Sequence, residues 1–357
     1  MMENWHNCKN ILVVRLDNMG DLLMSTPAIR ALKESFGSKI TVLTSSMAAG
    51  IAHHIPEIDE IITFDVPWVK TNNASFIHEF LVLAEVLKAR NFDATVLFTV
   101  FSQNPMPAIM LTYLADIPIR LAYCRENPYE LLTHWLPDKE PYTFIKHQVE
   151  RDLDLVRSIG ATTKNNFISI EVPDAWESAQ KILDKNSIDL QKPWLVLHPG
   201  VSELKRQYPA AKWMEIGKKL VEFGYQLLLT GSASEKKLTG EIAQGIGKNA
   251  FSIAGLLSLD EFICLIDEAP LLLSVNTGPV HIAAATQTPV VVLYAQTNPQ
   301  HTPWKTPSKV LYFEVPEALR SKNEILKFVQ NYQEKASEVI DVEIVVNEVA
   351  ALLSFRL

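Results

Sequence analysis

Short apolar runs alternate along this chain with longer segments whose apolar residues recur at helical spacing, and the rhythm is played twice. Asn10–Leu16 predicts a strand, Asp17–Asp21 a turn, and Leu22–Phe36 a helix stopping near Gly37. Lys39–Thr44 and Glu60–Phe64 read as further strands, Phe76–Arg90 as a helix and Ala94–Thr99 as a fourth strand. From Ser102 to about Phe144 the pattern breaks at Pro105, Pro107, Pro118, Pro128, Pro137 and Pro141. That stretch reads as irregular connections, or as loops holding acceptor or partner contacts. His147–Gly160 predicts a helix, Phe167–Val172 a short extended piece and Pro173–Gln191 a bridging helix.

The rhythm then restarts. Trp194–His198, Tyr225–Thr230, Leu271–Ser274 and Pro289–Tyr294 read as strands, with Ala211–Phe223, Glu235–Gly245 and Ser258–Asp267 as helices. Alternation of this kind signals parallel sheets covered by helices on both faces. The expected organisation is an α/β chain of two doubly wound domains. Residues 1–172 form an N-terminal domain, 173–190 a linker helix, 191–316 a C-terminal domain and 317–357 a helical C-terminal segment.

Composition narrows the class. A chain of 357 residues is too long for one ordinary core, which agrees with two domains. Hydrophobic residues at 48% and charged residues at 21% describe a globular protein, and a net charge of −8 with no basic stripe argues against a nucleic-acid partner. Cys8, Cys124 and Cys264 are far apart, without zinc spacing, and are expected to be reduced in a cytoplasmic protein. No apolar run is long enough to span a membrane, although a peripheral contact with the inner membrane is left open.

In open α/β sheets ligands bind beyond the carboxyl ends of the strands, and four such ends carry unusual residues. The most informative is Leu271–Ala285, an apolar strand that stops at Asn276-Thr277-Gly278 and continues through Pro279 into an alanine-rich helix. Unpaired N–H groups and the partial positive charge of a helix start suit a phosphate, with Thr277 and His281 in the first turn to assist. An ordinary βα turn with a structural histidine is the plainer reading. The second is His198–Arg206, where Gly200 allows close backbone approach, Ser202 offers a hydroxyl, and Lys205 or Arg206 can reach a diphosphate; the plainer reading is a solvated basic pair. The third is the small-residue turn Gly231–Glu235. The fourth is Asp17–Asp21, where Gly20 permits a tight turn and Asp17 and Asp21 are candidate helix caps. Asp21 read functionally is a general base that takes a sugar hydroxyl's proton as the new bond forms. Neither a Walker motif, nor G-x-G-x-x-G after the first strand, nor a G-x-S-x-G elbow is present.

At these residues the chain resembles the ADP-heptose:lipopolysaccharide heptosyltransferase family, glycosyltransferase family nine. The resemblance rests on Arg-Leu-Asp-Asn-Met-Gly-Asp followed by Ser25–Leu32, then His198-Pro199-Gly200, Lys205–Pro209 and Asn276–His281, in the family's order from about residue 10 to 300. It implies a GT-B fold, two Rossmann-like domains facing a cleft, with the acceptor on the first and the nucleotide-sugar donor on the second. It also implies inverting transfer without a metal or cofactor, from a nucleotide sugar such as ADP-heptose to a glycolipid or glycan acceptor. By the same resemblance Asp21 is the catalytic base and Lys205 meets the donor diphosphate. Thr277, Gly278 and His281 form the diphosphate-binding helix start, while Gly200, Val201 and Leu257 line the nucleotide pocket. Two positions depart from the family: Asn276 stands where an aspartate is usual, and Ala233 stands near the place of an acidic residue that holds a ribose, with Ser234 or Glu235 as substitutes. A non-catalytic nucleotide-sugar binding protein and a GT-B epimerase are the alternative readings.

Overall fold

A computed structural model describes residues 5–69, 77–296, 298–319, 324–330 and 336–354. The chain divides into two compact units, Met1–Ser169 with Asn323–Phe328, and Ile170–Lys322 with Val329–Leu357.

The first unit is built on strands β1 (Asn10–Arg15), β2 (Lys39–Thr44), β3 (Glu60–Thr63), β4 (Ala94–Leu97), β5 (Ile119–Cys124) and β6 (His134–Pro137). They form one parallel sheet in the order β3-β2-β1-β4-β5-β6. Its helices are α1 (Met19–Phe36), α2 (Ser46–Ala52), α3 (Ile77–Ala89), α4 (Met106–Leu114) and α5 (Gln148–Arg157). The order reverses between β1 and β4, and at such a switch point the crossovers leave on opposite faces and open a crevice. α1 starts beside it. This helix is buried along most of its length, which explains an apolar pattern running almost all round it. Pro27 lies inside it and lacks the N–H that would bond to Leu23; the Thr26 hydroxyl takes the freed carbonyl at 2.8 Å. Gly37, in the left-handed region at φ 62°, closes the helix by donating to the Lys33 carbonyl at 2.9 Å.

The prolines of residues 105–141 do not make that stretch irregular. Pro105 caps α4 and Pro107 sits in its first turn, where a missing N–H costs nothing, and Pro137 ends the edge strand β6. The extended piece expected at Phe167–Val172 joins no sheet. Phe76, expected to open a helix, falls outside the described residues; α3 runs from Ile77.

The second unit repeats the plan with β7 (Trp194–His198), β8 (Gln226–Leu229), β9 (Ala250–Ser252), β10 (Leu272–Val275), β11 (Val290–Ala295) and β12 (Ser308–Phe313). Their order is β12-β11-β10-β7-β8-β9, again all parallel and again reversing beside the first strand, between β7 and β10. Its helices are α6 (Trp176–Lys185), α7 (Ala210–Glu222), α8 (Lys236–Ile246), α9 (Leu259–Glu268) and α10 (Gly278–Thr286). α6, in the stretch read from sequence as a linker, lies in this unit, with Ser178 donating to Glu261 of α9. The C-terminal segment is shared between the units. Most of α11 (Glu324–Gln330), up to Phe328, belongs to the first, where the Tyr142 hydroxyl donates to Glu324 at 3.1 Å. α12 (Val342–Ser354) belongs to the second and buries Val342, Val345, Val346, Val349 and Leu352 in its core.

Candidate functional site

The predicted donor residues converge at the carboxyl end of the second sheet. β10 delivers Asn276, and Thr277 caps α10 in an extended conformation, so that Gly278 and Pro279 form the helix's first turn. Pro279 occupies the second helical position, where its missing N–H costs nothing. Thr277 and Gly278 are half-buried and His281 is buried, at 7% exposure. A start of this kind leaves backbone N–H groups unbonded within the helix and adds the positive end of its dipole.

Across the switch point, β7 ends in His198 and leads through Gly200, Val201 and the exposed Ser202 to a 3-10 turn, Leu204–Arg206. Arg206 Nη1 donates to the Asn276 carbonyl at 3.3 Å and joins the two loops. Its Nε is buried and has no hydrogen-bond partner among the described residues. The basic pair is not free in solvent. Glu203 lies 3.2 Å from Lys205 Nζ and 3.3 Å from Arg206 Nη2, and both basic side chains are about three-quarters buried (24% and 27% exposed).

Asn276 and the turn that carries Ala233 are both held by defined contacts. Asn276 Oδ1 accepts the Ala295 N–H at 3.3 Å, so its amide bonds to the end of β11. Glu235, on the turn after β8, caps that turn by accepting from the Ser232 N–H at 2.6 Å and hydroxyl at 2.8 Å. The same carboxylate lies against Gly200, where an added Cβ would come within 2.0 Å of it. Gly255, at φ 65°, packs its backbone against Ala233 and donates to the Gly231 carbonyl at 2.8 Å. The turns after β7, β8 and β9 are thus stacked, and the last of them carries Leu257 into α9. His198 Nδ1 is 2.9 Å from the Thr230 hydroxyl, and burial lowers the imidazole to about 4, so it is neutral near pH 7.

Asp21 lies in the first unit. The N-cap of α1 is Asn18, and Asp21 is its third residue, with Oδ2 accepting the Asn18 N–H at 3.3 Å. The helix begins three residues earlier than its apolar pattern predicts, and Gly20 is inside it, not in a tight turn. Asp21 thus takes part in capping the helix, whereas Asp17 does not. Asp17 is buried and lies 3.3 Å from Nε of Arg15, the last residue of β1, whose Nη2 is 3.3 Å from Asp21 Oδ1. Gln103 donates to the other Asp17 oxygen. Asp152 of α5 is buried nearby, accepting from Ser25 at 2.7 Å and Gln148 at 2.8 Å. Burial holds Asp17 up to about 6, with Asp21 and Asp152 adding to the rise and Arg15 and Gln103 opposing it. Burial likewise raises Asp152 to about 6. Asp152 escaped sequence reasoning, and Arg15, although it opens the Arg-Leu-Asp-Asn-Met-Gly-Asp motif, was given no role there. Among the described residues no group of three or more His, Cys, Asp or Glu is placed to hold a metal.

Two successive Rossmann-type units, each with polar residues gathered at its switch point, are the plan of the GT-B fold. The sequence profile of glycosyltransferase family 9 (heptosyltransferase) matches residues 80–330. Lipopolysaccharide heptosyltransferase 3 of Escherichia coli K12 is 27% identical over 296 residues, covering 80% of this chain and 82% of its own. Among solved structures, the family 9 glycosyl transferase of Veillonella parvula superposes with a TM-score of 0.80 at 19% identity, over 97% of this chain and 98% of that one. The E. coli ADP-heptose lipopolysaccharide heptosyltransferase II gives 0.74 at 22% identity, over 97% and 99%. Identities this low speak for the fold; the profile speaks for the family. The chain belongs to glycosyltransferase family 9 and is a glycosyltransferase.

Proposed function

We propose that the protein transfers a heptose from ADP-heptose to a lipopolysaccharide-like glycolipid, with inversion at the anomeric carbon and without a metal. The observation that carries this reading is the junction in the second unit where Arg206 bonds to the Asn276 carbonyl beside the α10 helix start. It gathers two cations, a Gly-bearing turn and a set of backbone N–H donors at one switch point, which suits a diphosphate. Lys205, Arg206, Thr277, Gly278 and His281 receive the diphosphate; Gly200, Val201, Ser202, Leu257 and Asn276 shape the nucleotide pocket. As the glycosidic bond breaks, negative charge grows on the departing ADP, and fixed cations and dipoles aimed at that charge lower the barrier. The acceptor hydroxyl attacks the anomeric carbon from the opposite side, and Asp21 takes its proton late in bond formation. The names of the relatives support heptose as the sugar and a lipopolysaccharide as the acceptor.

ADP release from ADP-heptose, measured with core-truncated lipopolysaccharide as acceptor, tests the reading. Asp21→Asn should keep ADP binding by calorimetry while transfer falls by about 10²–10⁴-fold, the usual worth of general-base catalysis. Transfer at the wild-type rate overturns the base assignment. Binding without turnover in the wild type would point to a non-catalytic binding protein, and sugar interconversion without acceptor to an epimerase.

A further inference from the structure

The turn that fixes Glu235 commits only one of its two carboxylate oxygens. Oε2 accepts from the Ser232 N–H at 2.6 Å and from the Ser232 hydroxyl at 2.8 Å, and that hydroxyl accepts in turn from Ser234 at 2.8 Å. Oε1 has no hydrogen-bond partner among the described residues. It is also the atom that a Cβ added to Gly200 would meet first, at 2.0 Å. The carboxylate is therefore held, with one bare acceptor, against the backbone of the turn after β7.

His198, two residues before Gly200, supplies a second acceptor. The Thr230 hydroxyl donates to the Leu197 carbonyl at 3.3 Å, so toward the imidazole 2.9 Å away it can only accept, which puts the ring proton on Nδ1. Nε2 then carries a lone pair and has no hydrogen-bond partner among the described residues. The ring leans on Phe262 of α9, with centroids 6.0 Å apart, and burial keeps it neutral near pH 7. Glu235 is the charge that acts on this imidazole, so the two bare acceptors are neighbours on one rim.

Two acceptors without donors, set beside a glycine turn at the carboxyl ends of β7 and β8, suit a ligand that brings two donors on adjacent atoms. A ribose presents them as its 2′ and 3′ hydroxyls, and in Rossmann-type units an acidic residue downstream of the Gly-bearing first turn is a recurrent partner of such a hydroxyl. We propose that Glu235 and His198 together read the ribose diol of the donor nucleotide, the carboxylate taking one hydroxyl through Oε1 and the imidazole the other through Nε2. Gly200 belongs to the same device, since any side chain there would push Glu235 out of place. This role rests on the second unit being the nucleotide-sugar site.

Calorimetric Kd values for ADP, 2′-deoxy-ADP and 3′-deoxy-ADP on the full chain provide the test. The wild type should prefer ADP over both analogues, by about 10–100-fold where the lost bond is to the carboxylate and about 3–10-fold where it is to the neutral imidazole. Glu235→Ala should bring the larger ratio close to one. Glu235→Gln keeps an oxygen for Ser232, so the turn stays capped, and should lower that ratio by about 3–10-fold. His198→Phe keeps a ring against Phe262 and should abolish the smaller ratio, each variant leaving the other's ratio alone. A role confined to capping or packing would lower the melting temperature, or weaken all three nucleotides in proportion, with both ratios as in the wild type. That result overturns the proposal, as does a wild type with equal affinity for the three. Inosine diphosphate, which lacks the 6-amino group, adds a further arm. If His198→Phe erases a preference for ADP over inosine diphosphate and leaves the deoxy ratios unchanged, Nε2 reads the base and the diol pair falls. The two readings fail separately: a wild type that binds none of these nucleotides refutes the donor site itself, whereas binding without discrimination against the deoxy analogues refutes only the diol role.

Discussion

Replacing Gly200 by alanine should destabilise the protein when Glu235 is present and stabilise it when Glu235 is gone. An alanine Cβ would stand 2.0 Å from Glu235 Oε1 and 2.3 Å from its Cδ. The carboxylate must retreat by roughly 1.4 Å to reach ordinary contact, and it then loses its two bonds to Ser232. Loss of such a cap costs about 1–2 kcal/mol. Gly200 has no left-handed φ, so alanine also removes unfolded-state freedom and contributes about 0.4–1 kcal/mol in the opposite direction. The expected net loss is about 0.5–1 kcal/mol, or about 1–4 °C in a domain of this size. In a Glu235→Ala background no cap remains to be broken and the clash is gone, so only the entropic gain survives. Gly200→Ala should then raise stability by about 0.4–1 kcal/mol. Equilibrium urea unfolding of the wild type, both single variants and the double variant completes the cycle. Equal effects of Gly200→Ala in the two backgrounds would refute the reasoning, since they would mean that the methyl group fits without moving Glu235.

Two further outcomes follow from the second unit. Glu203 occupies both cations assigned to the diphosphate, so Glu203→Gln should tighten ADP binding by about 2–10-fold in calorimetry, with the gain shrinking as salt rises; unchanged or weaker binding would show that Glu203 is not competing with the ligand. His198, lowered to about 4 by burial, contributes stability that is present above its unfolded value near 6.5 and is lost as pH falls from there toward 4. Its imidazole proton signal in NMR should titrate near 4, and His198→Gln should flatten the stability profile in that window; a midpoint above 6 would contradict the burial argument.

How much of this was legible depends on whether the signal was local. β1, β7 and β10 stood out because each is an apolar run cut off by Asp, Pro or Gly, and the strand-end rule then pointed to Asn276, Gly200 and Asp21 before any coordinates. α4 and β6 were hidden by prolines that in fact sit at a helix start and on a sheet edge, where proline is tolerated. β9 and β12 are edge strands, and β9 is only three residues long, too short for a periodic pattern. Gly20 misled because glycine suggests a turn, and here the turn is made by Asp17 and Asn18. The bridge from Asp17 through Arg15 to Asp21, with Asp152 beside it, was out of reach for a different reason. The bridge spans only residues 15 to 21, but which carboxylates meet the guanidinium depends on how the strand end folds into the helix, and Asp152 arrives only because α5 packs against α1, a proximity that no spacing encodes.

Each half of the molecule winds its sheet in the same order, so each carries one seam that side-chain packing does not close. The residues bordering those seams are loops and helix starts, while the interior strands behind them are mostly apolar. A lineage built this way can acquire a new sugar or a new acceptor by editing a handful of rim positions and leave its foundations alone. Asn276, at the end of β10, and Ala233, in the turn after β8, are rim positions of this kind.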